Sequence, residues 1–423
     1  MTAGDAWLLA LCVAGLLVAL GATSGLVNTR LWVSEPLVCA AAGVALGPVG
    51  FGLLHFDPGS SSQDAAILRE VARVTLAVSV TGAAMRLPRG WMTAQWRGLA
   101  VALGPGMLLM WAVGSLVTAA ALELPPLVCL LVGAAIAPTD PVLSAPVVTG
   151  KLARKAVPDD LRHAITAESG ANDGLALLLV ALPILLLTEP SLGVALLDWV
   201  LHTLLWEVGA AVAVGAAIGW LACHVLRWAR QRPDAERASL LTVALSLSIT
   251  TLAAMQVLGG SGILAAFVAG AMLKEALEDE QQERQEHFNE AFGRFFDLPI
   301  MILFGIAAPW AAWGALGWRG AAFAAGIVLL RRLPAWLLLR RWMPWTQPLP
   351  QALFAGWFGP VGAAALFYAC DAQARTGIAA IWPAVSLAAA ASVLAHGVTG
   401  THLSALLGRV RQNTMSARRI PAR

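Results

Sequence analysis

The chain has 423 residues, of which 58% are hydrophobic and only 13% charged, and its net charge is +3. Soluble domains carry about 25% charged residues, so this balance excludes an ordinary soluble enzyme. The basic residues sit in short scattered groups and form no nucleic-acid patch. The five cysteines (Cys12, Cys39, Cys129, Cys223 and Cys370) fall in apolar stretches without zinc or disulfide spacing and read as buried thiols.

Apolar runs beyond the ~18 residues that suggest a bilayer-spanning helix recur along the chain, giving about thirteen predicted spans. The first, 5–22, follows an N-terminus without a basic region and reads as a span, not a cleaved signal. Spans at 30–50, 65–85 and 98–121 follow. The fifth, 126–149, contains APTDPVLSAP, with Pro138, Pro141 and Pro146 inside an otherwise helical stretch. Proline removes a backbone donor and clashes with the preceding turn, so the helix is expected to break there. The sixth, 160–187, begins with Glu168, Ser169, Asn172 and Asp173 in sequence otherwise fit for hydrocarbon. His163 at its start reads as an interfacial histidine. The seventh, 194–226, carries Gly215 and Gly219, a small-xxx-small pair for close packing and one option for a dimer face.

Spans at 238–258 and 261–275 lead into KEALEDEQQERQEHFNE, read as a solvated cytoplasmic helix. The span at 290–308 holds Asp297 near its start, where the acid either lines an inner funnel or flanks it. The span at 318–339 carries Arg331 and Arg332 in its interior. The twelfth, 350–370, contains GWFGPVGA, with Gly356, Gly359, Pro360 and Gly362 as a second break. The last, 378–403, includes His396, read as a packing residue. The tail after His402 is too short to bury a core, so 1–423 is expected to form a single membrane domain.

Loop charge sets the expected orientation. Arg86, Arg89 and Arg97, then Lys151, Arg154 and Lys155, then Arg227, Arg230, Arg232 and Arg237 cluster in alternate loops. Arg340, Arg341 and the tail arginines 409, 411, 418, 419 and 423 continue the series, and only Arg319 and Arg375 break it. Positive loops stay cytoplasmic, which puts the N-terminus outside and the C-terminus inside. The expected fold is thus an all-α polytopic bundle, with spans 1–6 and 8–13 as two inverted six-helix repeats and span 7 as the link. Matched breaks in spans five and twelve mark a transport site near mid-membrane.

Depth brings the acids of the fifth and sixth spans together. Asp140 is about 21 Å from the outer start of its span and Asp173 about 20 Å from the inner start of its own, at 1.5 Å per residue. Glu168 and Asn172 share one helical face, as do Ser169 and Asp173, whereas Glu168 and Asp173 stand about 140° apart. The two carboxylates therefore meet different neighbours. One can be fixed in an ion pair with a buried arginine of the eleventh span, Arg332 being chosen over Arg331. The other, Asp173, can hold either a proton or a hard monovalent cation. Ser169, Thr139 and carbonyls freed by Pro138 and Pro141 would supply the remaining oxygens. No resident cofactor is needed.

At these residues the sequence resembles the monovalent cation:proton antiporters, in the Asn-Asp branch of the sodium/proton exchanger superfamily. APTDPVL at 137–143, AESGANDG at 167–174, RRLPAWLLL at 331–339, GWFGPVGA at 356–363 and AHGVTGTHLS at 395–404 carry the likeness in order. The resemblance implies a homodimer in the lipid bilayer, exchanging Na⁺, or K⁺ or Li⁺, for H⁺ with one-for-one electroneutral stoichiometry. It implies Asp173 as carrier with Asp140, Thr139, Ser169 and Asn172 beside it, Glu168 paired with the arginine of the eleventh span, and crossed broken helices. One departure is plain. The family's Gly-Pro-Arg-Gly reads Gly359-Pro360-Val361-Gly362 here, which leaves either Arg331 or Arg332 to cover the exposed half-helix end, or leaves transport altered or impaired. Two other classes compete: an intramembrane aspartyl protease using Asp140 and Asp173 as a dyad, without its Gly-x-Gly-Asp signature, and a cation channel, for which too few polar residues line any helix.

Overall fold

The computed structural model describes residues 3–26, 33–232, 240–275 and 295–418, and every regular element among them is helical. In chain order the helices are α1 (Ala3–Leu26), α2 (Glu35–Leu46), α3 (Ser62–Met85), α4 (Trp96–Leu122), α5 (Pro126–Ala135), α6 (Asp159–Thr188), α7 (Leu192–Ala229) and α8 (Leu240–Val257). They continue with α9 (Gly262–Lys274), α10 (Phe295–Ile306), α11 (Trp310–Leu330), α12 (Leu333–Leu339), α13 (Leu349–Trp357), α14 (Ala363–Thr376) and α15 (Ile381–Arg418). Among the described residues, five helices are long and apolar enough to cross a bilayer and six shorter ones are apolar.

Prolines account for most departures from thirteen unbroken rods. The expected fifth span keeps α5, loses helical form from Ile136 through Ser144, and resumes as a short turn at Ala145–Val148, followed by a seven-residue helix at Gly150–Ala156. The twelfth splits into α13 and α14 around 358–362. The eleventh splits as well: α11 ends at Leu330, and Pro334, in the first turn of α12, has no N–H to offer the preceding turn. Pro105 is absorbed differently, within a π-turn at Ala102–Gly106 inside α4.

Packing is close where glycine faces backbone. A side chain at Gly215 or Gly219 of α7 would strike Ala265 or Ala269 of α9, so this pair joins helices within the chain. Helix α9 also lies against α3, and α14 lies against α3 and α15. The two arginines that break the loop-charge pattern each find an acid, Arg319 with Glu123 at 2.8 Å and Arg375 with Asp371 at 3.8 Å. Trp336 and Trp382 are fully buried. All five cysteines are unbridged. The acidic run beyond Glu275, Arg237, Arg294 and the tail arginines 419 and 423 lie outside the described residues.

Candidate ion-binding site

Helix α6 carries Glu168, Ser169, Asn172 and Asp173 at no more than 1% exposure each. Opposite them runs the broken stretch after α5, in which Thr139 is also fully buried. Glu168 is the hub. Arg332 grips it with both terminal nitrogens, Nη1 to Oε1 at 2.7 Å and Nη2 to Oε2 at 3.0 Å. The Asn172 amide nitrogen donates to the same Oε1 at 3.0 Å, and the Thr139 hydroxyl lies 3.3 Å from Oε2. Arg332 also donates from Nε to the Ala355 carbonyl and stacks 4.0 Å over the Trp336 ring. Gly359 must be glycine for this, because a side chain there would strike the Arg332 stem.

Asn172 is equally committed. Its carbonyl oxygen accepts the Thr139 N–H at 3.1 Å, and its amide nitrogen donates to Thr139 Oγ1 at 2.9 Å. Asn172 thereby holds the unwound stretch against α6. The Ser169 and Thr139 hydroxyls sit 3.0 Å apart, and Ser169 lies one helical turn before Asp173 on α6.

Asp140 and Arg331 divide the ends of the interrupted helices between them. Asp140 Oδ1 accepts N–H groups of Val142 and Leu143 at 2.7 and 3.2 Å, and Oδ2 accepts the Ala363 N–H at the start of α14 at 2.6 Å. Its own N–H donates to the Pro360 carbonyl at 2.9 Å, so the two breaks touch. Gly362 leaves room for this carboxylate, which any side chain would meet. Arg331 takes the opposite ends. Its Nη1 donates to the carbonyls of Ile136 and Ala137 at 2.6 and 2.8 Å, past the end of α5, while Nη2 donates to the Gly359 carbonyl past the end of α13. Unpaired carbonyls carry partial negative charge at a helix C-terminus and unpaired N–H groups partial positive charge at an N-terminus. One arginine and one aspartate thus neutralise both breaks.

Val361 stands where the family has arginine, and Arg331 covers the carbonyl ends without it. The Val361 N–H goes to Ser392 Oγ at 2.8 Å; Ser392 lies 3.0 Å from His396 Nδ1, and His396 Nε2 faces the Trp357 carbonyl at 2.8 Å. Through these contacts α15 reaches both the Val361 N–H and the Trp357 carbonyl at the second break. Sequence reading treated His396 as packing and missed Ser392. Its one signal was the i,i+4 spacing to His396.

Asp173 differs from all of these. It is fully buried, and neither carboxylate oxygen has a hydrogen-bond partner. Only its backbone carbonyl is held, by the Tyr368 hydroxyl of α14 at 2.6 Å. The carboxylates of Asp140, Glu168 and Asp297 lie within electrostatic reach of it. A dyad of the protease kind needs two carboxylates sharing a proton, but Asp140 has both oxygens turned to backbone donors. Among the described residues no group of three or more His, Cys, Asp and Glu side chains could hold a metal ion. What the arrangement offers at Asp173 is a buried carboxylate with both oxygens uncommitted, one helical turn from the Ser169–Thr139 hydroxyl pair.

The sequence matches the family of sodium/hydrogen exchanger transmembrane regions over residues 15–406. A probable Na⁺/H⁺ antiporter of Schizosaccharomyces pombe is 30% identical over 401 residues, which cover 88% of this chain and 52% of the relative. A second Na⁺/H⁺ antiporter from that yeast is 28% identical over 425 residues, 90% of this chain and 86% of the relative. The K⁺/H⁺ antiporter NhaP2 of Shewanella sp. (strain ANA-3) is 26% identical over 262 residues, 62% of this chain and 43% of the relative. The chain spans about half the length of several curated relatives it matches. The sodium proton antiporter MjNhaP1 from Methanocaldococcus jannaschii, solved at pH 8, shares the fold with a TM-score of 0.72 over 96% of this chain and 98% of that chain, at 17% identity. With the family matched along nearly the whole chain and the fold shared end to end, this chain belongs to the sodium/hydrogen exchanger family of integral membrane proteins.

Proposed function

We propose that the chain is a secondary antiporter that exchanges a monovalent cation for a proton, one for one, with Asp173 as the alternating carrier. The observation that carries this reading is the contrast among the buried acids. Glu168 is saturated by Arg332 and Asn172, Asp140 by three backbone N–H groups, and Asp173 has two oxygens without a partner. A buried carboxylate must lose its charge or gain a cation, and either event at Asp173 leaves the rest of the network intact. Ser169 and Thr139 are the neighbouring hydroxyl ligands. Asp140 and Asn172 act by holding the break in place, and the Asp140 carboxylate adds negative potential. Na⁺ is the first candidate cargo, in keeping with the names of the yeast relatives, and K⁺ or Li⁺ would meet the same oxygen chemistry.

The same reading carries the architecture. The N-terminus lies outside and the C-terminus inside. Two inverted six-helix halves form a single membrane domain, and two copies of the chain associate in the plasma membrane.

The test is proton-coupled cation flux in proteoliposomes, adding Na⁺, K⁺ and Li⁺ in turn to the parent and to Asp173→Asn. The variant should fold, since a neutral amide is cheaper to bury than a charge, and its coupled flux should be lost. Substantial coupled flux through Asp173→Asn would move the carrier elsewhere.

A further inference from the structure

Asp297 is a buried acid that the site described so far does not use. It is 4% exposed, and its Oδ1 has no hydrogen-bond partner. The start of α10 is held deep against α3, where the Thr75 hydroxyl donates to the Phe296 carbonyl at 3.2 Å. Electrostatically, Asp297 faces three groups from other elements: Arg86 at the end of α3, Asp140 at the first break and Asp173 on α6.

Arg86 also lines a small, partly open recess together with Thr149, Arg154, Arg162, His163 and Thr166. Thr166 lies on α6 seven residues before Asp173, roughly 10 Å along the axis. The recess thus shares Arg86 with the electrostatic surroundings of Asp297, and Asp297 in turn lies within electrostatic reach of Asp173. A mouth lined by arginines repels a cation that must reach a buried carboxylate, and a second acid behind the first arginine offsets that repulsion. It also gives a partly dehydrated ion an oxygen ligand before it reaches Asp173.

Resting on the antiport reading above, we propose that Asp297 is a second cation-binding carboxylate, a staging site between the recess and Asp173, with Arg86 as its counter-charge when no ion is bound. The cation passes from the recess to Asp297, displacing Arg86, and then to Asp173.

The test uses the full chain and Na⁺ as probe, with two readouts on Asp297→Asn, Asp297→Glu and Asp173→Asn. In proteoliposomes, Asp297→Asn should raise the half-saturating Na⁺ concentration about tenfold, a loss of about 1.4 kcal/mol, while maximal flux stays within about threefold of the parent. Asp297→Glu keeps the charge and should stay within about threefold of the parent in both. In detergent, the Na⁺-dependent rise in unfolding temperature should need about tenfold more Na⁺ in Asp297→Asn, with the Na⁺-free unfolding temperature unchanged. An unchanged Na⁺ requirement overturns the proposal, as does an Asp297→Asn protein that fails to fold while Asp297→Glu behaves as the parent with unaltered Na⁺ affinity, since Asp297 would then be structural. Flux persisting through Asp173→Asn would count against the carrier assignment alone, because the thermal readout judges Asp297 independently of turnover.

Discussion

At the scale of single residues, three buried acids within one cluster have three different fates, and their partners decide which. Glu168 pairs with Arg332 through two parallel bonds, and neither side chain is more than 3% exposed. Removing one partner of such a pair strands the other's charge in a low-dielectric interior, at a cost of about 3–5 kcal/mol. Glu168→Gln should therefore lower protein yield and unfolding temperature, read by fluorescence-detected size exclusion during heating. A stable and merely inactive Glu168→Gln would exchange its role with that of Asp173. The helical spacing of 168 and 173 already separates the two acids by face, and with it the choice of which meets an arginine. What spacing could not reveal is that Asn172 and Asp140 are used up. Their partners are backbone N–H groups of Thr139, Val142, Leu143 and Ala363, exposed only because two helices come apart where they meet, and a one-dimensional pattern carries no information about which backbone groups lose their usual partner.

At the scale of elements, the breaks in the fifth and twelfth spans follow directly from Pro138, Pro141, Gly359 and Pro360, while the break in the eleventh is less legible. Leu-rich sequence on both sides of Pro334 reads as one continuous span, yet the missing N–H separates α11 from α12 and leaves Arg331 and Arg332 side by side at the junction. Being at a junction, they point to different targets, one to a carboxylate and one to carbonyls of two separate chain segments. The planar fork of guanidinium suits that second task, and a lysine ammonium is a compact charge that cannot serve both segments. Arg331→Lys should keep the charge at one break and abandon the other, losing a charged hydrogen bond worth about 1.5–3 kcal/mol. The expected result is a lower unfolding temperature with reduced, measurable flux. An Arg331→Lys protein as stable and active as the parent would mean that a point charge at one break suffices, and that the guanidinium fork spanning both segments is not what lets Val361 be tolerated.

At the scale of the whole molecule, the proposed mechanism, in which a single carboxylate alternates between proton and cation, ties the pH response to the charge balance. Below the carrier's own pKa most molecules hold the proton at Asp173. Each unit of rising pH then exposes about tenfold more carboxylate, and apparent cation affinity should rise about tenfold with it. Above that pKa the carboxylate is fully available and affinity should level off, so the curve is a ramp followed by a plateau, with no fall at high pH from this group. Stoichiometry follows from the same count. One proton exchanged for one monovalent cation moves no net charge, so a membrane potential does no work on the cycle. A cycle that carried one net charge would gain or lose about 2.3 kcal/mol per 100 mV, enough to shift the reversal point of exchange by well over an order of magnitude in cation gradient. Fluxes measured in proteoliposomes clamped at zero and at about −100 mV, with the cation gradient varied against a fixed proton gradient, should therefore reverse at the same cation gradient at both potentials. A reversal point that moves with voltage would require a second titrating acid in the cycle. Asp140 has its oxygens committed to the helix ends, so Asp297, with an unpartnered oxygen and Asp173 within electrostatic reach, would be the group to examine.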